Sequence, residues 1–311
     1  MLYFGTLFAD FKIITIVKVY HIHIIFLISV LLLGGCRRKF KWVQQHDNQY
    51  TEIVTQPNTH NTNSERAHVT QEENIEKASD SDWLDCGLPI VGKQTDSQVL
   101  YRTGYITSYN KTTKLPNWVA WKLTKDRTSG HVPRCQNFSS DYDVPVPRQE
   151  LDDWDNKESE EFDHGHMCPA GDNKWARKAM EETFLLTNIC PQNSRLNQET
   201  WEHLESHCRW WANKYGTIYI VAGPIFRNKN YHTFGNNKIA IPDAFFKVIL
   251  RVDEKPKALG FIYENTYPKD KDRMEDHVVP ISAIEKVTGL KFFPFLKDDE
   301  LKNNINFNKW N

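Results

Sequence analysis

The chain has 311 residues, enough for one large domain or two small ones with a substantial hydrophobic core. Its 39 basic and 40 acidic residues give a formal net charge of −1. A tight, non-catalytic nucleic-acid binder usually carries a clear basic surplus, so the composition argues against that class. An enzyme that needs only a local basic groove is still compatible with it.

An apolar run lies near the N-terminus, over residues 24–33, and ends in Leu33-Gly34-Gly35-Cys36. About ten apolar residues are too few to span a bilayer comfortably, so the run indicates a signal peptide, with an uncleaved anchor as the alternative. The small residues before the cysteine resemble the lipobox of bacterial lipoproteins. We therefore expect a signal peptide over 1–36, acylation of Cys36, and an exported protein that is lipid-anchored to a bacterial membrane and faces the periplasm or the cell surface.

Residues 37–81 are rich in Gln, Asn, Thr, Ser and Glu and show no apolar period. This composition is typical of a flexible polar tether. Apolar density rises at Trp83 and stays high to the end of the chain, without a second linker or an internal repeat. The sequence therefore predicts a single domain over residues 82–311.

The alternation of Val119, Trp121 and Leu123 with Ala120 and Lys122 predicts a half-buried strand. Further β-rich runs and helical periodicities follow, without the regular rhythm of βαβ units, which indicates an α+β fold. The other predicted elements are strands over 217–222, 244–250 and 258–263, and helices over 174–182 (capped by Asp172 or Asn173), 198–215 and 281–287 (ended by Gly289).

Five cysteines follow Cys36, and an exported domain permits disulfides. Two bridges and one free thiol are the simplest expectation, although the sequence does not give their connectivity. We expect a bridge within the second group, because its members lie close to candidate catalytic residues. The five are Cys86 and Cys135, followed by the group of Cys168, Cys190 and Cys208.

The segment Asp163-His164-Gly165-His166 and the two asparagines Asn188 and Asn197 place polar groups among apolar neighbours. A histidine can move a proton near neutral pH, and amide oxygens can hold a hard metal ion. An extended run over 184–189 and a helix that begins near Asn197 would follow the histidine segment. This order predicts a strand–strand–helix unit of the ββα-metal type and indicates metal-assisted hydrolysis.

At these positions the chain resembles the DNA/RNA non-specific endonuclease family, whose pattern is D-R-G-H, then N-I-x-P-Q-x-x-x-L-N-Q, then W-x-x-L-E. The Trp118–Trp121 strand, an Ala222-Gly223-Pro224 turn and a helix over 284–290 also resemble family positions, so the likeness spans residues 99–295. It implies a ββα-metal nuclease fold with a mixed central sheet flanked by helices. The corresponding residues here are Asn188-Ile189-Cys190-Pro191-Gln192-Asn193-Ser194-Arg195-Leu196-Asn197-Gln198 and Trp201-Glu202-His203-Leu204-Glu205.

The resemblance implies an Mg²⁺-dependent endonuclease, with Mn²⁺ as a substitute, that hydrolyses DNA and RNA to 5′-phosphate and 3′-hydroxyl ends. A homodimer is left open. His166 would be the general base that activates water, Asn197 the inner-shell metal ligand, and Arg134 the cation that binds and neutralises the phosphate. Glu205 lies ~12 Å along the helix from Asn197 at 1.5 Å per residue, so it would hold a metal-bound water in the outer shell. Asn188 would orient waters or the histidine.

One position departs from the family pattern, because His164 stands where the family has the arginine of D-R-G-H. That arginine is thought to bind phosphate. A protonated His164 could replace it below about pH 6.5. Reduced activity or an acid-shifted optimum is the resulting hypothesis, and it motivates the alternative of a catalytically weakened, nucleic-acid-binding surface lipoprotein.

Other interpretations of these residues are also open. Asn197 could be a helix N-cap, although Ser194 is equally suited to that position. A structural zinc site could combine His164, His166 and Cys168 with Cys190, His207 or Cys208, although H-x-H-x-C is not a common zinc pattern. Helical spacing favours packing over base stacking for three tryptophans, Trp201, Trp210 and Trp211.

Overall fold

The protein is described by a computed structural model. The predicted signal peptide, the acylated Cys36, the tether and Cys86 lie outside the residues it describes, and those predictions stay untested. In the described part of the chain, no helix is both long and apolar enough to cross a membrane. The described residues are 88–91, 96–252, 256–268, 272–294, 299–303, 305 and 307–310.

The strands confirm the predicted β-rich runs and extend each of them by one to three residues. The segment 222–224 lies inside a strand, so the turn expected there is wrong. The strands are β1 Ile90–Val91, β2 Ser97–Tyr101, β3 Ile106–Asn110, β4 Leu115–Thr124, β5 Phe162–His166, β6 Ile189–Asn193, β7 Thr217–Ile225, β8 Thr233–Phe234, β9 Ile239–Ala240, β10 Ala244–Arg251, β11 Lys257–Glu264, β12 Val278–Val279 and β13 Leu290–Lys291.

Helices lie between these strands, and the one over 281–288 confirms both its predicted range and its end at Gly289, which has a φ of 72°. The α-helices are α1 Lys125–Thr128, α2 Arg177–Glu182, α3 Glu202–Tyr215, α4 Ile281–Thr288 and α5 Asp299–Asn303. A π-helix covers Leu196–Trp201, and 3₁₀ helices cover Leu151–Trp154, Lys157–Ser159, Ala170–Asn173, Leu186–Asn188, Met274–His277 and Phe307–Lys309.

Two further local predictions, both next to α2, are wrong. The helix expected over 174–182 begins only at Arg177, and its N-cap residue, Ala176, makes no side-chain cap hydrogen bond. The carboxylate of Asp172 instead accepts from the Trp121 indole and from Arg209, so it cannot cap the helix. The extended run expected over 184–189 is also displaced, because 186–188 form a 3₁₀ turn and the strand starts at 189.

Seven strands form the main sheet, in the order β12-β11-β10-β7-β4-β3-β2. Every pairing within it is antiparallel, so the expectation of a mixed sheet is corrected while the α+β class is confirmed. Consecutive antiparallel strands need only short connections, and β2, β3 and β4 follow one another directly in the chain. The hairpin β5–β6 forms a separate two-stranded sheet.

Both faces of the main sheet are covered, which explains why all eight residues of β10 are buried. Phe245 and Ile249 join the apolar core that contains Trp211 of α3, whereas Phe246 joins the core that contains Ile284 of α4. Successive side chains of a strand point to opposite faces, so β10 contributes to both cores. Helix α3 and the hairpin β5–β6 therefore lie on one face, and α4 lies on the other.

The cysteines of the described region are free thiols, so the bridge expected among Cys168, Cys190 and Cys208 is wrong. All three are buried in the core on the α3 face, where they pack as small apolar side chains. Burial raises the pKa of each thiol, for Cys208 to about 12, and keeps them protonated. Cys135 is a free, half-buried thiol.

Candidate active site

The hairpin β5–β6 carries the D-H-G-H segment, with Asp163 opposite Gln192 and Gly165 opposite Cys190. A Cβ at position 165 would lie 2.4 Å from Oε1 of Gln192, so glycine is needed for the two strands to approach. The side chain of Gln192 is fully buried, and neither end of its amide has a hydrogen-bond partner in the described structure. Gln192 therefore packs against the D-H-G-H segment at Gly165.

Asp163 fastens the hairpin to the helix that follows it. Its carboxylate accepts hydrogen bonds from Ser194 Oγ, Asn197 Nδ2 and Gln198 Nε2, each at 2.8 Å. The side chain of Asn193 accepts from the backbone N–H groups of Arg195 and Leu196, at 3.2 and 3.3 Å. Asn193 therefore provides the cap of the helix start, and neither Asn197 nor Ser194 does so.

Asn197 is suited to hold a hard metal ion. Because Asp163 engages its NH₂ group, the amide is fixed, and no hydrogen bond from the described residues reaches its Oδ1. An amide oxygen is a ligand that Mg²⁺ accepts. The described residues contain no cluster of three or more His, Cys, Asp or Glu side chains that could hold a metal, so they provide no site of the zinc type.

His166 is 8% exposed and packs against two aromatic rings, with ring centroids 5.4 Å from Phe138 and 4.9 Å from Phe184. Its Nε2 is buried and has no hydrogen-bond partner among the described residues. Burial, together with the positive charge of Arg134 nearby, lowers the pKa of His166 to about 3. The imidazole is therefore neutral at physiological pH, and one ring nitrogen is free to accept a proton.

Arg134 lies close to His166. Its guanidinium carbon is 5.0 Å from the centre of the Phe184 ring, the same ring that packs edge-on against His166. The side chain is exposed, and its positive charge contributes to the lowered pKa of His166. A guanidinium in this position can reach an anion that approaches the buried imidazole.

His164 shares a strand face with His166, and its ring is stacked between two others. The centroid of Phe138 lies 4.4 Å away on one side and that of Trp154 lies 3.8 Å away on the other. Burial lowers the pKa of His164 to about 4, although Asp163 opposes the shift. The expectation that His164 gains a charge below about pH 6.5 is therefore wrong, because the aromatic neighbours exclude the water that a cation needs.

Asn188 is fully buried and makes three hydrogen bonds, all to the backbone. Its Nδ2 donates to the carbonyls of Cys168 and Thr183, at 2.9 and 2.8 Å, and its Oδ1 accepts from the N–H of Cys168 at 2.9 Å. No group of the amide is left to orient water. Asn188 thus holds the segment that follows His166, so the expected role in orienting water is wrong, and its role in orienting the histidine stays a prediction.

Glu205 lies on α3, its side chain 12% exposed, and its Oε1 is 3.7 Å from Nζ of the buried Lys247. Burial raises its pKa to about 7, and the ammonium of Lys247 opposes that shift. Two further charged residues share this region: the guanidinium of Arg209 is bonded to the buried Asp172 at 3.1 Å. The sequence analysis did not single out Lys247 and Arg209 and assigned Asp172 to a helix cap, although charged residues within apolar periodic runs are an available signal.

The described contacts thus form two groups. Arg134, His164 and His166 surround the Phe138 and Phe184 rings, whereas Asn197 is joined to β5 through Asp163. No hydrogen bond of the described structure joins His166 directly to Asn197. An antiparallel hairpin that carries the histidine, followed by a helix whose asparagine is fastened to that hairpin, defines a ββα-metal nuclease.

The family model of the DNA/RNA non-specific endonucleases matches residues 88–299, and the chain belongs to this family. It is similar to the mitochondrial nuclease EXOG of Danio rerio, at 33% identity over 70% of this chain and 66% of that protein. It is also similar to nuclease C1 of Cunninghamella echinulata, at 34% identity over 64% of this chain and 84% of that protein.

Among solved structures, a chain of the EndoG/EndoGI complex matches with a TM-score of 0.62 and 26% identity, over 71% of this chain and 91% of that chain. The fold and the family are thereby established. The match to the Danio rerio protein covers just under two thirds of that relative's length.

Proposed function

We propose that this protein is a Mg²⁺-dependent endonuclease that hydrolyses DNA and RNA with little sequence preference and leaves 5′-phosphate and 3′-hydroxyl ends. One observation carries the proposal: His166, a neutral and buried imidazole with an unpartnered Nε2, lies on the same strand as Asp163, which fixes the side chain of Asn197. Family membership supports the reaction class.

His166 acts as the general base. Because its pKa is lowered to about 3, the ring is unprotonated across the physiological range and accepts the proton of the attacking water at Nε2. A base of such low pKa is intrinsically weak, so its burial and position contribute more than its basicity. Arg134 binds the phosphate and offsets the negative charge that develops during attack.

Asn197 Oδ1 is the protein oxygen that would hold the metal ion, and Glu205 would hold a metal-bound water, as an outer-shell residue. The bound ion supplies Lewis acidity toward the phosphate and the leaving oxygen. Asp163 keeps the Asn197 amide in one orientation. His164 is neutral and stacked between two rings, so phosphate binding depends on Arg134 and not on the position that the family fills with a second arginine.

We also propose that Mn²⁺ can replace Mg²⁺ at this site.

A further proposal concerns location: we propose that the domain is exported and anchored to a membrane through acylated Cys36. The sequence pattern at Leu33-Gly34-Gly35-Cys36 supports the anchor. Metabolic labelling with a fatty-acid analogue tests it, because Cys36→Ser should abolish incorporation. Labelling that persists in Cys36→Ser would overturn this part of the proposal.

The nuclease proposal is tested by incubating the full chain with supercoiled plasmid and with RNA, in Mg²⁺ or in EDTA. We expect both substrates to be cut in Mg²⁺ only, and His166→Ala to lose the activity. His232→Ala is the matched control, because His232 is exposed and distant in sequence from the site. Intact substrates from the wild-type chain, together with salt-dependent retention of DNA, would instead favour the nucleic-acid-binding lipoprotein.

A further inference from the structure

A cavity of about 460 Å³ lies beside β5, on the side of the hairpin occupied by His164. We call it the Trp154 cavity. It adjoins the candidate active site, because His164 lines it and stacks on Phe138, whose ring also contacts His166. Its lining residues are Trp154, Asp155, Asn156, Lys157, Ser159, Glu160, Phe162 and His164.

The aromatic part of the cavity wall is rigid. Trp154 stacks on His164 at 3.8 Å, packs edge-on against Phe234 at 5.1 Å, and donates its indole N–H to Gln149 Oε1 at 3.0 Å. These contacts fix the orientation of the indole. Phe162, at the start of β5, supplies a second half-buried ring.

The polar part of the wall has two kinds of groups. Ser159 and Asn156 are satisfied internally, since Ser159 Oγ donates to the carbonyl of Trp154 at 2.6 Å and Asn156 Oδ1 accepts from the N–H of Ser159 at 3.1 Å. The carboxylates of Asp155 and Glu160 are exposed, and no side-chain hydrogen bond or ion pair from the described residues engages them. They are acceptors available to a ligand.

We propose that the Trp154 cavity receives one nucleobase of the substrate strand, at a fixed offset from the bond that is cut. This inference rests on the proposed nuclease function. Two carboxylates against the single Lys157 disfavour a phosphate in the cavity. The exocyclic amino and ring N–H groups of bases are donors that carboxylates accept, and the aromatic wall contacts the base ring. The cavity therefore binds bases that carry such donors.

The test uses the full chain and a labelled single-stranded DNA oligonucleotide of fixed sequence. In a series of copies, one nucleotide at a time is replaced by an abasic residue, and the cleavage positions are mapped on a gel. We expect removal of the base at one fixed offset to lower cleavage of the corresponding bond about tenfold, in line with the loss of one base–aromatic contact. Abasic residues at other offsets should have smaller effects.

Two variants connect that offset to the cavity. Phe162→Ala removes part of the aromatic wall, and Glu160→Gln removes one carboxylate at an exposed position where misfolding is not expected. In both variants an abasic residue at this offset should cause a smaller loss of cleavage than in the wild type. Glu158 is exposed and lies outside the cavity, so Glu158→Gln should show the same losses as the wild type. Circular dichroism reports whether Phe162→Ala is folded.

The outcomes separate the inference from the function on which it rests. Efficient cleavage without any offset-dependent loss, or an unchanged loss in both cavity variants, would overturn the inference and leave the nuclease intact. A gain in overall cleavage by Glu160→Gln without a change in the offset pattern would mean that the carboxylate only repels the backbone, and would also overturn it. Absence of cleavage of the unmodified oligonucleotide would reject the nuclease, and the inference with it.

Discussion

His164 illustrates how neighbouring rings decide the chemistry of a side chain. Alone, a histidine in place of a phosphate-binding arginine suggests a cation that appears below neutral pH. Stacked between Phe138 and Trp154, the ring has its pKa lowered to about 4, so it is an uncharged aromatic group across the working range. Activity should therefore show no acid-shifted optimum that arises from His164.

The same shift links stability to pH. The pKa of His164 is about 4 in the folded protein and near 6.5 in the unfolded chain, so the unfolded chain takes up the proton first as pH falls. The contribution of His164 to the free energy of unfolding is fully present above about pH 6.5 and is lost progressively as the pH falls toward 4. The free energy of unfolding in urea should be compared at pH 7.5 and pH 5. Between these two values, that of His164→Phe, which keeps a ring in the stack, should fall by about 2 kcal/mol less than that of the wild type.

His164→Gln separates titration from stacking. It removes the same proton uptake, so it should share the reduced loss between pH 7.5 and pH 5, but it should be less stable than His164→Phe at pH 7.5 because the stack is broken. An equal loss in the wild type and both variants would contradict a lowered pKa of His164.

At the scale of elements, the sequence predicted most of what depends on local periodicity. The alternation in β4 and the apolar runs of β7, β10 and β11 are confirmed, as is the end of α4 at Gly289. These features follow from side-chain period and backbone freedom, which neighbouring residues determine. The D-H-G-H and N-x-x-P-Q strings also predicted the hairpin and the helix that follows it.

The errors occur where a distant partner decides the local structure. Asp172 is a good helix cap by type, yet it is bonded to Trp121 and Arg209, which are 51 and 37 residues away in the chain. The first turn of the predicted helix over 198–215 forms a π-helix instead, at the segment that carries Asn197. π-Helical turns are frequent at functional sites, and sequence periodicity does not distinguish them from α-helical turns.

Asp163 is the point at which the hairpin and this π-helix meet, and its substitution should affect metal binding. Asp163→Asn replaces one acceptor oxygen by an NH₂ group that faces donors from Ser194, Asn197 and Gln198. We expect the Mg²⁺ concentration for half-maximal plasmid cleavage to rise roughly 10–100-fold, because a residue that orients a ligand has been weakened.

The control for this substitution is Asp152→Asn, an exposed carboxylate in the first turn of the 3₁₀ helix Leu151–Trp154. It should have the wild-type Mg²⁺ dependence. If Asp163→Asn lowers the maximal rate and leaves the Mg²⁺ dependence unchanged, Asp163 does not act through Asn197.

At the scale of the whole molecule, the main sheet supports the site through its α3 face. Helix α3 carries Leu204 and Trp211 into the core that β4, β7 and β10 share, so the position of Glu205 depends on how the helix sits on the sheet. Apolar burial alone permits small shifts of a helix along a sheet. A charged contact between the helix and the sheet is directional, so it can fix the position of the helix along the sheet, which apolar packing does not.

Lys247 provides that contact. It lies on β10 and is 1% exposed, and its Nζ is 3.7 Å from Glu205 Oε1 and 4.1 Å from the centre of the Trp201 ring. A buried ammonium is tolerated only with such partners, because its removal from water costs several kcal/mol. The pair therefore ties the helix of the site to the centre of the sheet.

Lys247→Met keeps a long apolar side chain but leaves Glu205 buried without its counter-charge. Because the pKa of Glu205 is already raised to about 7, its carboxylate must either stay charged and unpaired or take up a proton. In urea unfolding at alkaline pH, where the carboxylate is charged, we expect a loss of about 3 kcal/mol in the free energy of unfolding. Glu205→Gln in the Lys247→Met background should restore part of that loss, since no uncompensated charge then remains. Lys286→Met, at an exposed position of α4, should change stability by no more than about 0.5 kcal/mol. If the double variant were as unstable as the sum of its single variants, the two charges would not be coupled, and the helix would be positioned by apolar packing alone.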